Sequence, residues 1–105
     1  MPSKELIESW NRTTAYLRDA RAHLSETAEG VCADEIHEFQ GVLENNELEL
    51  ALDSLEAAFE KSGVEDLRVM ELFALAAASM GLSDRVRRFD EYLSKRRGIS
   101  YTTKI

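Results

Sequence analysis

The sequence has one cysteine, one proline, five glycines and two histidines, and it has no long apolar run. Each scarcity excludes something. The lone Cys32 cannot form an internal disulfide, which rules out a cystine scaffold and fits a reducing cytosol. No stretch approaches the ~20 apolar residues that span a bilayer, and no signal-peptide pattern opens the chain. A cytoplasmic protein with no membrane role is the expectation. His23 and His37 lie on separate segments, and neither HExxH nor CxxC occurs, so no metal site is expected. Asp34, His37 and Glu38 can approach one another on a helix, but a histidine among surface acids is the ordinary reading. There is no glycine-rich phosphate loop and no nucleophile with an adjoining base. The expectation is therefore a chain with no cofactor and no catalytic residues, and not an enzyme.

What is present is helical periodicity. Hydrophobic residues are 44% of the 105, enough for one packed domain and too many for a disordered chain. Leu6, Trp10, Thr13, Leu17, Ala20 and Leu24 recur at steps of three and four, on one face of a helix. Ser3 is its expected N-cap, and the helix is expected to start near Lys4 and fade before Gly30. A second helix is expected over about Ala33–Glu44, with Cys32, Ile36, Phe39 and Leu43 inward. Asn45-Asn46 breaks it, with Asn46 expected to cap a third helix of about Glu47–Lys61 built on Leu48, Leu52, Leu55 and Phe59. A fourth, about Glu65–Met80, is apolar around most of its circumference and should be central. Ser83 is expected to cap a fifth, about Asp84–Arg96, with Val86, Phe89 and Leu93 inward. Leu17, Ile36, Phe39, Leu52, Leu55, Phe59, Met70, Phe73 and Phe89 form the expected core. The fold class is all-α: a small bundle of about five antiparallel helices over residues 1–98. The tail, 99–105, is strand-like in composition and expected to be mobile unless a partner or second copy holds it.

The Asn45-Asn46 hairpin looks like a tetratricopeptide helix pair, with Leu43, Leu48, Ala51, Leu55 and Ala58 near that motif's packing positions. Met70–Met80 with Asp84–Leu93 is a weaker echo. No convincing second copy occurs at the 34-residue period, and a generic helical hairpin is the favoured explanation of the pattern.

Charge is the most distinctive feature. Thirteen acids lie between Glu26 and Asp66 against one base, Lys61, a local net charge of −12; the remainder carries +5. The third helix concentrates this. Glu49, Asp53, Glu56 and Glu60 are spaced four, three and four, forming a single-sign stripe that lacks the mixed i,i+4 pairs seen elsewhere in the chain. With Glu44 and Glu47 at the adjoining turn, these are the candidate partner-binding residues, and a basic protein surface is the partner that complements them. Nucleic acid is disfavoured by the net charge of −7. The competing account is internal neutralisation, by Arg18 and Arg21 on the first helix or Arg85 and Arg88 on the fifth, or a simply solvated acidic face.

The stretch from Glu38 to Leu52, Glu-Phe-Gln-Gly-Val-Leu-Glu-Asn-Asn-Glu-Leu-Glu-Leu-Ala-Leu, resembles the MafI-type immunity proteins of bacterial polymorphic toxin systems. The shared pattern is an acidic helix end, an Asn turn, a Glu-rich start and a Leu-Ala pair entering the next helix. The likeness is closest over Phe39–Leu55 and looser over Ile36–Leu93. It implies a cytoplasmic protein that binds a toxin domain and neutralises it by occlusion. The alternative is a helical adaptor that holds a peptide or partner helix in a groove between helices, with Trp10 or Tyr16 partly accessible. Either class leaves self-association open.

Overall fold

Ser3 opens the first helix as expected. Its hydroxyl accepts from the Leu6 amide at 3.1 Å, giving a partner to one of the amides that a helix start leaves unsatisfied. The computed structural model describes residues 1–103. It has six helices: α1 (Lys4–Arg21), α2 (Glu26–Val31), α3 (Ala33–Glu44), α4 (Leu48–Ser62), α5 (Leu67–Ser79) and α6 (Ser83–Arg97). No strand occurs among the described residues, and α3 with α4 and α5 with α6 pack as antiparallel hairpins, so the all-α class holds.

The first helix is shorter than its apolar stripe suggests. It ends at Arg21, and Ser25 caps a separate short helix by accepting from the Ala28 amide at 3.1 Å. The Ser25 hydroxyl offers that amide a partner outside a continuing helix, so the chain can turn without stranding it. The redirected segment buries Leu24, Ala28 and Cys32 in the core, and α2 lies against α4. At the front of the stripe, Leu6 is exposed and Trp10 only partly covered.

Two expected caps also differ. Asn46 takes the left-handed conformation (φ 58°) rather than capping α4, and Glu47 precedes that helix with no side-chain cap bond. At the second hairpin Gly81 (φ 73°) takes the left-handed place, and Leu82, not Ser83, precedes α6. In both turns the closing bonds satisfy the helix just ended. Glu47 and Asn46 donate to the Val42 and Leu43 carbonyls, and Leu82 and Gly81 to those of Ala77 and Ala78. This is the two-bond closure that follows a left-handed residue at a helix C-terminus. The end of one helix sets the entry to the next, so no N-cap side chain is selected.

These turns expose a repeat. Glu47 and Leu82 have nearly the same dihedrals, φ −87° and −86° with ψ 71°. Helices α4 and α6 are both 15 residues long and close on left-handed glycines, Gly63 and Gly98. The α3–α4 and α5–α6 hairpins therefore share one backbone plan at an offset of 35 residues, from Leu48 to Ser83.

Helix α5 sits at the centre, as its composition requires. Its Val69, Leu72, Phe73, Ala74, Ala76 and Ala77 are buried, and α1 and α6 cover it. The alanines let α1 approach closely, and a small polar clasp fixes the crossing. Ser9 Oγ donates to the Ser79 carbonyl at 2.9 Å, and the Thr13 and Ser79 hydroxyls meet beside it. Phe73 meets Phe59 of α4 edge-on, with ring centroids 5.7 Å apart, and Phe89 of α6 at 5.8 Å. Of the expected core, only Met70 is incompletely buried; the neighbouring Val69 takes the inward position.

The tail is held at two points. The Tyr101 amide donates to Ser94 Oγ at 2.9 Å, and the Thr103 amide and hydroxyl both donate to the buried Asp90 carboxylate. Burial, reinforced by the facing Glu71 carboxylate, pushes the Tyr101 phenol above its ordinary pKa. The expectation of mobility covered 99–105, of which 104 and 105 lie outside the described residues.

Because Phe73 joins three helices, Phe73→Ala should cost about 3–5 kcal/mol. Urea denaturation measures this; an unchanged midpoint would contradict the central place of α5.

Candidate functional site

Helix α4 presents its buried face through Leu48, Ala51, Leu52, Leu55, Ala58 and Phe59. The 3.6-residue period turns Asp53, Glu56 and Glu60 away from that face. Helix α6 lies alongside, and its arginines reach across to the middle of the stripe. Arg85 forks over one helical turn: Nη1 donates to Asp53 Oδ1 at 2.5 Å and Nη2 to Glu56 Oε2 at 2.7 Å. Arg88 adds Nη2 to Glu56 Oε1 at 3.0 Å. The Arg85 and Glu56 side chains retain only 18% and 16% of their exposure, so much of this pairing is shielded from water. Charged, geometrically matched bonds of this kind are stronger than exposed ion pairs.

The candidate residues therefore divide. Asp53 and Glu56 are neutralised within the chain, as the competing account required, by Arg85 and Arg88. Of the other two arginines considered, Arg21 pairs with Glu29 of α2 at 2.5 Å, and Arg18 makes no ion pair among the described residues. Glu44, Glu47, Glu49 and Glu60 are exposed and have no cation within ion-pair distance among the described residues. The same division runs through the whole acidic segment. Glu29, Glu35, Asp53, Glu56, Glu65 and Asp66 are paired; Glu26, Asp34, Glu38 and the four above have no partner among the described residues.

Beside the unpaired carboxylates stands Leu50, 52% exposed on the first turns of α4. Glu47 and Asp53 lie three residues either side of it, on the same surface of the helix. An apolar side chain bordered by carboxylates is the local anatomy of a contact surface with a dry centre and a charged rim.

Other candidate chemistry is accounted for structurally. Asp66 caps α5, accepting from the Arg68 and Val69 amides at 2.9 and 3.3 Å, and meets His23 Nδ1 at 2.9 Å. Burial opposes its ionised form, but the His23 contact and the two amides prevail and hold the carboxyl below its ordinary pKa. Burial, with Glu35 adding to it, raises the Cys32 thiol, whose Sγ–H donates to the Ala28 carbonyl. That is the environment of a packing cysteine rather than a reactive one. Among the described residues no three His, Cys, Asp or Glu side chains converge as a metal site needs. No helix there is long and apolar enough to cross a membrane. Trp10 and Tyr16 are both partly accessible, Trp10 beside Leu6, Leu48 and Met80 in a shallow hollow of about 270 Å³.

Periodicity alone did not find the cleft between the C-terminal half of α4 and α6, about 410 Å³ in volume. Phe59, Phe89, Met70, Val64 and Tyr92 line it, with Glu60 at its edge. Met70, expected in the core and only partly buried, is a sequence position that points to it.

Stability should report the division of the stripe. Glu56→Gln leaves Arg85 and Arg88 short of a charged acceptor and should cost about 1–3 kcal/mol. Glu49→Gln and Glu60→Gln should leave the denaturation midpoint essentially unmoved. Equal effects at all three positions would contradict the assignment.

No family model, no curated protein and no solved structure matches the chain.

Proposed function

We propose that this chain is a protein-binding module that engages a basic partner surface through the α3–α4 turn and the outer side of α4. Glu44, Glu47, Glu49 and Glu60 supply the attraction, while Asp53 and Glu56 stay bound to α6 and keep the surface rigid. The observation that carries the reading is Leu50, exposed beside Glu47 and Glu49, which have no cation within ion-pair distance among the described residues. Like charges this close on one helix destabilise it; the positive end of α4 offsets part of this at Glu47 and Glu49, but no ion pair among the described residues relieves Glu47, Glu49 or Glu60. A partner's lysines and arginines would. In this reading the chain binds and occludes, and it is not an enzyme.

The resemblance to MafI-type immunity proteins gives the reading its specific form: a cytoplasmic protein that neutralises a bacterial toxin domain. Toxins that act on nucleic acid carry basic surfaces, and covering such a surface with carboxylates blocks it without chemistry. Several clustered charges raise association rates by 10–10³-fold at low salt.

A lysine-rich peptide titrated into the isotopically labelled chain tests the acidic face. Amide shifts should concentrate between Glu44 and Glu60, include Leu50, and fade as the Debye length falls from ~10 Å at 0.1 M salt to ~3 Å at 1 M. The double variant Glu47→Lys, Glu49→Lys should lose the response with its melting temperature nearly unchanged. Shifts scattered over the acids of every helix, or an unaltered response in the double variant, would contradict the reading. Reversing Asp53 and Glu56 would not serve, because those residues hold α6.

A further inference from the structure

The cleft between α4 and α6 carries an inference that rests on the reading of α4 as a docking face and names what docks there. Its floor is aromatic and aliphatic: Phe59 and Phe89 are buried, with Val64, Met70 and Tyr92 half-covered around them. A volume of about 410 Å³ is within the range of sites that take a ligand or an anchoring side chain. The rim is charged, and its own cations show what it accepts. Arg88 lies over the Phe89 ring, 5.0 Å from its centroid, while bonded to Glu56. Arg96 lies over the Tyr92 ring at 5.2 Å while paired with Glu65. Twice, then, a guanidinium rests on an aromatic face with a carboxylate beside it, an arrangement favoured by both the ring quadrupole and the ion pair. The third rim carboxylate, Glu60, shares the cleft with Phe59 and Arg88 but has no cation within ion-pair distance among the described residues.

We infer that this cleft seats an apolar side chain of a basic peptide segment of a partner protein, with the adjoining lysine or arginine of that segment placed on Glu60. The apolar anchor replaces water over Phe59, Val64 and Met70, and the cation completes the pattern that Arg88 and Arg96 already show. Because the cleft and the hollow lined by Asp53, Glu56, Ala57 and Arg85 share Glu56, Glu60 and Arg88, and that hollow shares Asp84 and Arg85 with one lined by Glu49, the groove runs on along α4 toward Glu49. One segment can therefore occupy the cleft and follow the acidic face.

The test uses two short Gly/Ser peptides, one carrying a central Lys-Leu-Lys and the other Lys-Ser-Lys, titrated into the labelled full chain. The leucine peptide should shift the methyl signals of Val64 and Met70 and the ring signals of Tyr92. It should bind about tenfold more tightly than the serine peptide. Glu60→Gln should weaken the leucine peptide several-fold at low salt and leave the leucine-over-serine preference in place. Equal binding of the two peptides, with shifts only between Glu44 and Asp53, would overturn the cleft assignment while leaving the acidic face standing. No shift with either peptide at low salt would overturn both.

Discussion

Helix α5 is apolar around most of its circumference, and no single neighbour can cover it. That requirement organises the rest of the molecule. α1 takes one side, helped by the alanine run and the Ser9, Thr13 and Ser79 clasp. α6 takes another, and Phe59 of α4 reaches in to complete the contact at Phe73. Once α4 and α6 both converge on Phe73, their outer surfaces lie side by side. One carries the acidic stripe and the other Arg85 and Arg88, so the ion pairs follow from the apolar packing. Beyond α6 the chain folds back on that helix, where the buried Asp90 carboxylate accepts from the Thr103 amide and hydroxyl.

The cross-link between α4 and α6 then decides what remains for binding. Arg85 and Arg88 satisfy the middle of the stripe and leave both ends, Glu47 with Glu49 and Glu60, without an ion-pair partner among the described residues. A stripe neutralised along its whole length would offer a partner little. One free along its whole length would repel itself on a mobile surface. Fixing the centre ties α4 to α6 beside the cleft that Glu60 lines. The same two helices thus supply the apolar cleft and the acidic track on which the proposed binding of a basic partner rests.

Much of the fold was legible because its signals are local. Helix-period apolar residues, Ser3, Gly63 and Gly98 located most elements within a few residues, and the composition of α5 announced its central place. What was missed depends on competition or on distance. Ser25 could be read as a residue within a long helix or as a cap, and only the burial of Leu24, Ala28 and Cys32 favours the second. Asn46 and Ser83 are good caps by composition, but the closure of the preceding helix uses those places first. The 35-residue repeat is a repeat of backbone, made with Asn46 in one copy and Gly81 in the other, so sequence comparison between the halves has little to match. Asp53 and Glu56 could be listed as stripe members, but pairing across 32 and 29 residues to Arg85 is fixed only by the packing angle of α6. The cleft is likewise a gap between helices, and a gap has no period.

A double-mutant cycle between Glu56→Gln and Arg85→Met, read by urea denaturation, addresses the division of the stripe directly. Partly buried, charge-assisted pairs should show a coupling free energy of about 0.5–3 kcal/mol, while the parallel cycle between Glu60→Gln and Arg85→Met should show almost none. Coupling as large at Glu60 as at Glu56, or none at either, would contradict a stripe whose centre is committed to the fold and whose ends are free.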